Sequence, residues 1–265
     1  MIGTCKLCHK NDVDLQDSHL IAQTFYRKIR RSEGANNSLV AISKDSVRFT
    51  DEQIHDYVLC AECEQRFGQV EDWVSRRCLQ ADGSFQLRDV LVAQARLGND
   101  PEMHVVAGKA AQIGAEQYVY FAASILWRAG VHVWRGAGSG SVSVQLGLYK
   151  EQLRLYLLGQ TPLPVDVAIG VIIAEKADTT DQFFTTPVLL DTKGYCHYEI
   201  VIPGIQFGIF VGQKMPNEAR VACLLRSDDN LVFLTDHVEQ RSMKGLLRTA
   251  RVTKRVEREA ALRRN

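Results

Sequence analysis

The order of apolar and polar residues divides the chain into a mixed N-terminal third, a helical middle and a β-rich final part. Near the start, Val13 and Leu15 flank Asp14 in strand-like alternation, and His19-Leu20-Ile21 reads as the second half of a hairpin. Residues 23–31 read as helix or turn, with Phe25 and Ile29 at i,i+4. Residues 39–42 and 47–49 are short strand candidates beyond a polar loop holding Gly34, Asn36 and Asn37. A helix is predicted from Ala61 to about Leu79, because Phe67, Val70, Trp73 and Val74 recur as one buried stripe, and Asp82-Gly83 stops it.

Residues 87–97 read as a helix ended by Gly98-Asn99-Asp100-Pro101. Residues 117–134 form a strongly apolar helical pattern, which puts Trp127-Arg128 and Trp134-Arg135 on one helix face, packed inside. A Gly/Ser-rich stretch over 136–141 separates this pattern from a second helix over 146–158, with Gly159 placed as its cap. From Pro164 the pattern turns to β. Apolar runs at 165–174, 188–190, 195–202, 207–211, 221–225 and 231–234 are separated by turns such as Pro203-Gly204, as in an antiparallel meander. Residues 238–264 return to helix.

Apolar residues make up 46% of the 265, enough to bury a core, and no run approaches a transmembrane length. The opening Met1-Ile2-Gly3-Thr4-Cys5 lacks the layout of a signal peptide, so the expectation is a cytoplasmic chain with reduced cysteines. Net charge is +1, but residues 241–265 hold nine Lys/Arg against two acids, +7, which leaves −6 for residues 1–240. A basic helical tail of this kind suits an anionic partner such as nucleic acid, or is simply a solvated chain end.

Of the seven cysteines, four form two Cys-x-x-Cys pairs, Cys5/Cys8 and Cys60/Cys63. Two such pairs supply the tetrahedral sulfur set that Zn²⁺ prefers, closed and structural. Cys78, Cys196 and Cys223 read as small buried hydrophobes, and His9 as a surface residue, since four thiols suffice. The 51 residues between Cys8 and Cys60 leave room for strands and a loop before a helix that starts at the second pair.

Cys5, Cys8, Ser18-His19-Leu20-Ile21, Leu59-Cys60, Cys63-Glu64 and Glu71 together resemble the HNH (ββα-metal, treble-clef) endonucleases. The branch is the one reading C-x-x-C, S-H-[IL]-I and L-C-x-x-C-E. The resemblance covers roughly residues 1–80, under a third of the chain. It implies a zinc-bound ββα unit over 1–80; with the helix pair and antiparallel sheet read from the pattern over 81–240, an accessory part, and the basic helix over 241–265, the expectation is an α+β protein. It implies one structural Zn²⁺ per chain and a catalytic Mg²⁺ or Mn²⁺.

The family's base carries over onto His19, an imidazole suited to activating water. The family's metal-binding positions fall on Ser18, His55 and Glu64, where Asp or His, Asn and His respectively are usual. A hydroxyl is a poor anchor for Mg²⁺ and a carboxylate a good one, so Glu64 becomes the candidate ligand, with His55 beside it. Asp17 could substitute for Ser18, although strand alternation points the two to opposite faces. Glu71, two helical turns after Glu64, could orient Arg27 or His19, or act as an outer ligand. Arg27, Lys28, Arg30 and Arg31 are candidates for phosphate contact, or an ordinary polar face.

The resemblance thus implies a metal-dependent endonuclease acting on DNA in a bacterial or phage defence setting. A zinc-stapled module that binds nucleic acid or a protein without catalysis is the alternative, and an antitoxin, inhibitor or regulator working through residues 84–265 is a remoter one. Residues 81–240 carry no motif; recognition of substrate, binding of a protein partner and dimerisation are all open to them.

Overall fold

The computed structural model describes residues 1–31, 39–43, 46–50, 53–80, 82–97, 104–135, 141–175, 184–192 and 194–235. The predicted basic helix over 238–264, the loop over 32–38 and residues 136–140 of the Gly/Ser stretch lie outside them. The N-terminal part runs β1 (Ile2–Gly3), β2 (Val13–His19), α1 (Gln23–Arg31), β3 (Leu39–Ser43), β4 (Ser46–Thr50), β5 (His55–Cys60) and α2 (Ala61–Arg77). Then come α3 (Gln86–Val92), β6 (Arg96–Leu97), β7 (His104–Ala107), α4 (Ala115–Val131), β8 (Trp134–Arg135), β9 (Ser141–Val142) and α5 (Tyr149–Leu157). The last part holds β10 (Val167–Ala174), β11 (Phe184–Thr185), β12 (Val188–Asp191), β13 (Cys196–Ile202), β14 (Ile205–Val211), α6 (Asn217–Val221) and β15 (Leu231–Thr235). The protein is a mixed α+β structure with several sheets.

In the N-terminal sheet, ordered β1-β2-β5, β2 pairs antiparallel with β5: Leu15 faces Cys60 and His19 faces His55. The expected hairpin continuation through residues 19–21 is therefore wrong. β2 runs on to His19, its partner comes from 36 residues further along, and Leu20 and Ile21 turn inward, fully buried. The main sheet is ordered β12-β13-β14-β10-β15-β7-β6. Its centre, β10, is Val-Ala-Ile-Gly-Val-Ile-Ile-Ala and almost wholly buried, as an apolar run covered on both faces should be.

This sheet is not the simple meander expected. β12, β13 and β14 follow one another antiparallel, but β10 lies between β14 and β15 and runs parallel to β15. β7, which the sequence did not announce, pairs with β15. The expected strand at 221–225 is another correction. Asn217–Val221 is helical, Leu225 has φ 58°, and only Leu224 bridges to Ile169.

α4 is apolar nearly all round, as a helix buried on every side must be. It is the common neighbour of the other layers: Phe121 meets Phe25 of α1 at 5.5 Å and Phe207 of β14 at 5.8 Å, while Trp127 meets Phe67 of α2 at 6.1 Å. α4 ends at Val131, not at 134, and His132 is extended. Trp127 and Trp134 are both buried, but Trp134 belongs to β8, where it pairs with Val142 and its indole N–H donates to the Arg128 carbonyl at 2.8 Å. The helix expected over 146–158 begins only at Tyr149, since Gly147 adopts φ 52° just before it. The helix expected over 87–97 stops at Val92, and Arg96–Leu97 joins the sheet edge.

Candidate metal centre and cleft

The chain around Cys5 and Cys8 folds as a tight knuckle. Cys5 N–H donates to the Lys10 carbonyl at 3.0 Å, His9 N–H donates to the Cys5 carbonyl at 3.0 Å, and His9 adopts φ 60° to close the turn. Cys60 ends β5 and is the residue preceding α2; Cys63 lies in the first turn of that helix and is buried. Because β2 pairs with β5, the strand register delivers the second pair to the knuckle. The four sulfur atoms lie within 4.8 Å of one another, and Cys8 Sγ is 3.8 Å from Cys60 Sγ.

A tetrahedral zinc with Zn–S bonds of about 2.3 Å has sulfurs about 3.8 Å apart, so this cluster can hold a metal ion such as zinc. The contact with Cys63 holds Cys5 down at about 4, and the same contact, with burial, pushes Cys63 up. Arg154 of α5 supports the knuckle by donating to the Leu7 carbonyl at 2.8 Å, and Lys10 pairs with Glu62 at 2.7 Å. All seven cysteines are free thiols; Cys78 and Cys223 are buried and Cys196 half-buried, and His9 is exposed.

Beside this clamp, β2, the start of α1 and one face of α2 enclose a cleft of about 350 Å³. His19, the last residue of β2, lines it, as do Asp17, Thr24, Glu64, Gly68, Glu71, Asp72 and Arg128. Glu64, Gly68 and Glu71 succeed one another along α2 at the spacing of a single face. His19 Nε2 donates to Gln53 Oε1 at 2.7 Å, since that carbonyl oxygen can only accept. In the neutral tautomer that donates from Nε2, Nδ1 is the acceptor.

Glu64 is largely buried, and its Oε1 has no hydrogen-bond partner. Burial pushes its carboxyl above the usual range, against a hydrogen bond with Ser18 and the charge of Arg128. Ser18 itself is fully buried and accepts from Leu59 N–H at 3.2 Å. Its neighbour Asp17, reached after a bulge between Gln16 and Asp17, is exposed at the cleft and accepts from His55 Nδ1 at 2.6 Å. The exposed His55 ring stacks on His19 at 5.5 Å, so the two imidazoles adjoin at the cleft's edge.

Glu71, expected to orient Arg27 or His19 or to act as an outer ligand, pairs with Arg128 of α4. Arg27 is exposed and bonds Gln23 on its own helix. Lys28 donates to the Ser75 carbonyl at 2.5 Å and to Gln80 Oε1 at 2.6 Å, tying α1 to the end of α2. The side chains of Arg30 and Arg31 lie outside the described residues.

Gln53 and Arg128, which hold His19, were not among the expected site residues. Gln53 gave no signal. Arg128 did: α4 is an apolar helix whose only charged residues are Glu116 and Arg128, and a cation inside such a pattern needs a buried partner. Comparison with known proteins found no matching family model, no matching curated protein and no matching solved structure.

Proposed function

We propose that the chain is a metal-dependent endonuclease of the HNH type, hydrolysing phosphodiester bonds of DNA, with the treble-clef unit in residues 1–80. The observation that carries this reading is the single cleft shared by His19, Glu64 and Glu71 directly beside the four-cysteine clamp. Zinc bound by Cys5, Cys8, Cys60 and Cys63 would staple the knuckle to the start of α2 and so fix Glu64 relative to His19. Glu64, with its unpaired buried oxygen, fits a Mg²⁺ or Mn²⁺ ligand, with His55 at the cleft's edge as a second donor. When bound, the ion would supply positive charge to the phosphate and the leaving oxygen.

His19 carries the proton chemistry. With its Nε2 proton held on Gln53, Nδ1 takes a proton from water as the water oxygen bonds to phosphorus. One ester P–O bond breaks, and the leaving oxygen takes a proton from solvent water, giving a phosphomonoester and a free hydroxyl; the protonated His19 ring then returns its proton to solvent. Arg27 and the basic residues 241–265 fit contacts to the DNA backbone, which would steer substrate without reading its sequence. Residues 81–240 are then an accessory part that shapes the cleft and offers surface for substrate or a protein partner, and the setting is a cytoplasmic defence system.

A second reading has an observation in its favour. Among the described residues, the four cysteines are the one group of three or more His, Cys, Asp or Glu close enough to share an ion. A zinc-stapled binding module without catalysis is consistent with that. Plasmid relaxation by the full chain with Mg²⁺ or Mn²⁺ separates the two. The nuclease reading expects nicking by wild type, none with EDTA, and a loss of at least about 10²-fold in His19→Ala. Equal inertness of the two proteins would leave only the binding module. No helix among the described residues is long and apolar enough to cross a membrane.

A further inference from the structure

We propose that Arg128 is a positioning residue for His19: a guanidinium supplied from α4, outside the metal-binding unit, that fixes the place where β2 ends. The inference rests on the nuclease reading of the cleft. Arg128 Nη1 donates to the His19 carbonyl at 2.5 Å, Nη2 pairs with the Glu71 carboxylate, and Nη2 also donates to Ser124 Oγ at 3.3 Å. Nε donates back to the Ser124 carbonyl at 3.4 Å. The guanidinium is planar and rigid, so one group sets the separation between the last residue of β2 and the cleft face of α2.

Burying a cation is costly unless it is paired and hydrogen-bonded. Arg128 is 1% exposed and Glu71 13%, and the guanidinium also lies 5.2 Å from the centre of the Phe67 ring. This is a committed structural arrangement, with four of the five N–H groups engaged inside the protein. Arg128 therefore has little left to offer a phosphate, although it lines the cleft. What it can do is hold His19.

His19 needs holding because it is the end of a strand. Beyond it the chain leaves β2, and Leu20 N–H donates to the Ile54 carbonyl at 2.9 Å. Its ring is anchored on one side by Gln53 at 2.7 Å. Arg128 provides the third hold, on the backbone, and so makes the site depend on α4. A general base displaced by about 1 Å can lose about 10²-fold in rate.

The test is plasmid nicking by zinc-loaded full-length wild type, Arg128→Ala, His19→Ala and the double variant, with melting temperature and zinc content recorded for each. The expected result is a kcat lowered by about 10²-fold in Arg128→Ala, with KM within about twofold, and a double variant no slower than His19→Ala alone. If Arg128→Ala does not fold, Arg128→Lys takes its place, since a single ammonium keeps the charge but cannot span His19 and Glu71. A readout independent of activity is the ¹⁵N spectrum of the His19 ring, assigned by His19→Gln, which should shift in the Arg128 variant. Losses that multiply in the double variant, a change in KM alone, or an unshifted His19 ring would overturn the positioning role while leaving the nuclease reading intact. A wild type that does not nick under any divalent ion removes both.

Discussion

Replacing Cys63 by serine removes one thiolate from the clamp while changing little else in shape. Cys63 is buried, its neighbours are the other three sulfurs, and it sits in the first turn of α2, the helix that carries Glu64 and Glu71. Structural zinc contributes about 10–16 kcal/mol of binding free energy in small metal-dependent folds. An equal share per ligand puts the loss at about 3 kcal/mol. For a chain of this size that is about 6–12 °C in melting temperature.

The assay is thermal unfolding with and without EDTA, alongside elemental analysis. Wild type should carry about one zinc per chain and lose stability on chelation. Cys63→Ser should melt lower, carry markedly less zinc and respond less to EDTA. Cys78→Ser is the control. Cys78 is buried with its thiol on the Ser75 carbonyl at 3.2 Å and lies outside the cluster, so its zinc content and EDTA response should match wild type. A Cys63→Ser protein with full zinc and an unchanged response to EDTA would refute the clamp.

Three further outcomes follow from packing and burial. Gly114→Ala should cost about 2–5 kcal/mol in denaturant unfolding. Gly114 has φ +73°, and a Cβ there would lie 2.5 Å from Cη2 of Trp73, adding left-handed strain to overpacking against a rigid ring; a cost below about 0.5 kcal/mol would contradict it. Gly68→Ala, inside α2 with open space around the added methyl, should instead stabilise by about 0.5–1 kcal/mol in the same experiment. His197 stacks on Phe210 at 4.3 Å, and burial lowers its pKa against the pull of Asp191. The folded state therefore favours the neutral ring, so this contribution is complete above about pH 6.5 and is lost as pH falls through the depressed folded value. Unfolding curves of His197→Phe should show less acid sensitivity below pH 6.5 than wild type, and identical curves would remove the assignment.

The four-cysteine cluster was legible because its information is local: two Cys-x-x-Cys pairs state a possible ligand set in their spacing, and the pairing of β2 with β5 has only to bring them together. His19 and Glu64 could be read from their places beside that motif. Arg128 could not be assigned from neighbours in sequence, since its partners lie 57 and 109 residues away. The order of the main sheet was also out of reach. Val-Ala-Cys-Leu-Leu at 221–225 reads as a short apolar strand, yet Pro216 and the helix formers after it turn the chain into α6, and periodicity cannot separate the two over so few residues. β10 reads as a strand from its composition, but its place between β14 and parallel β15 is set by long-range pairing that leaves no mark in its own residues.

Glu64→Gln tests the central claim most directly, because it keeps the side chain's size and removes only its charge. If the buried carboxylate is there to hold a divalent ion opposite His19, the variant should keep its zinc, melt at or above the wild-type temperature, and nick plasmid at least about 10²-fold more slowly with Mg²⁺ or Mn²⁺. Nicking at the wild-type rate by a folded, zinc-loaded Glu64→Gln protein would contradict the account.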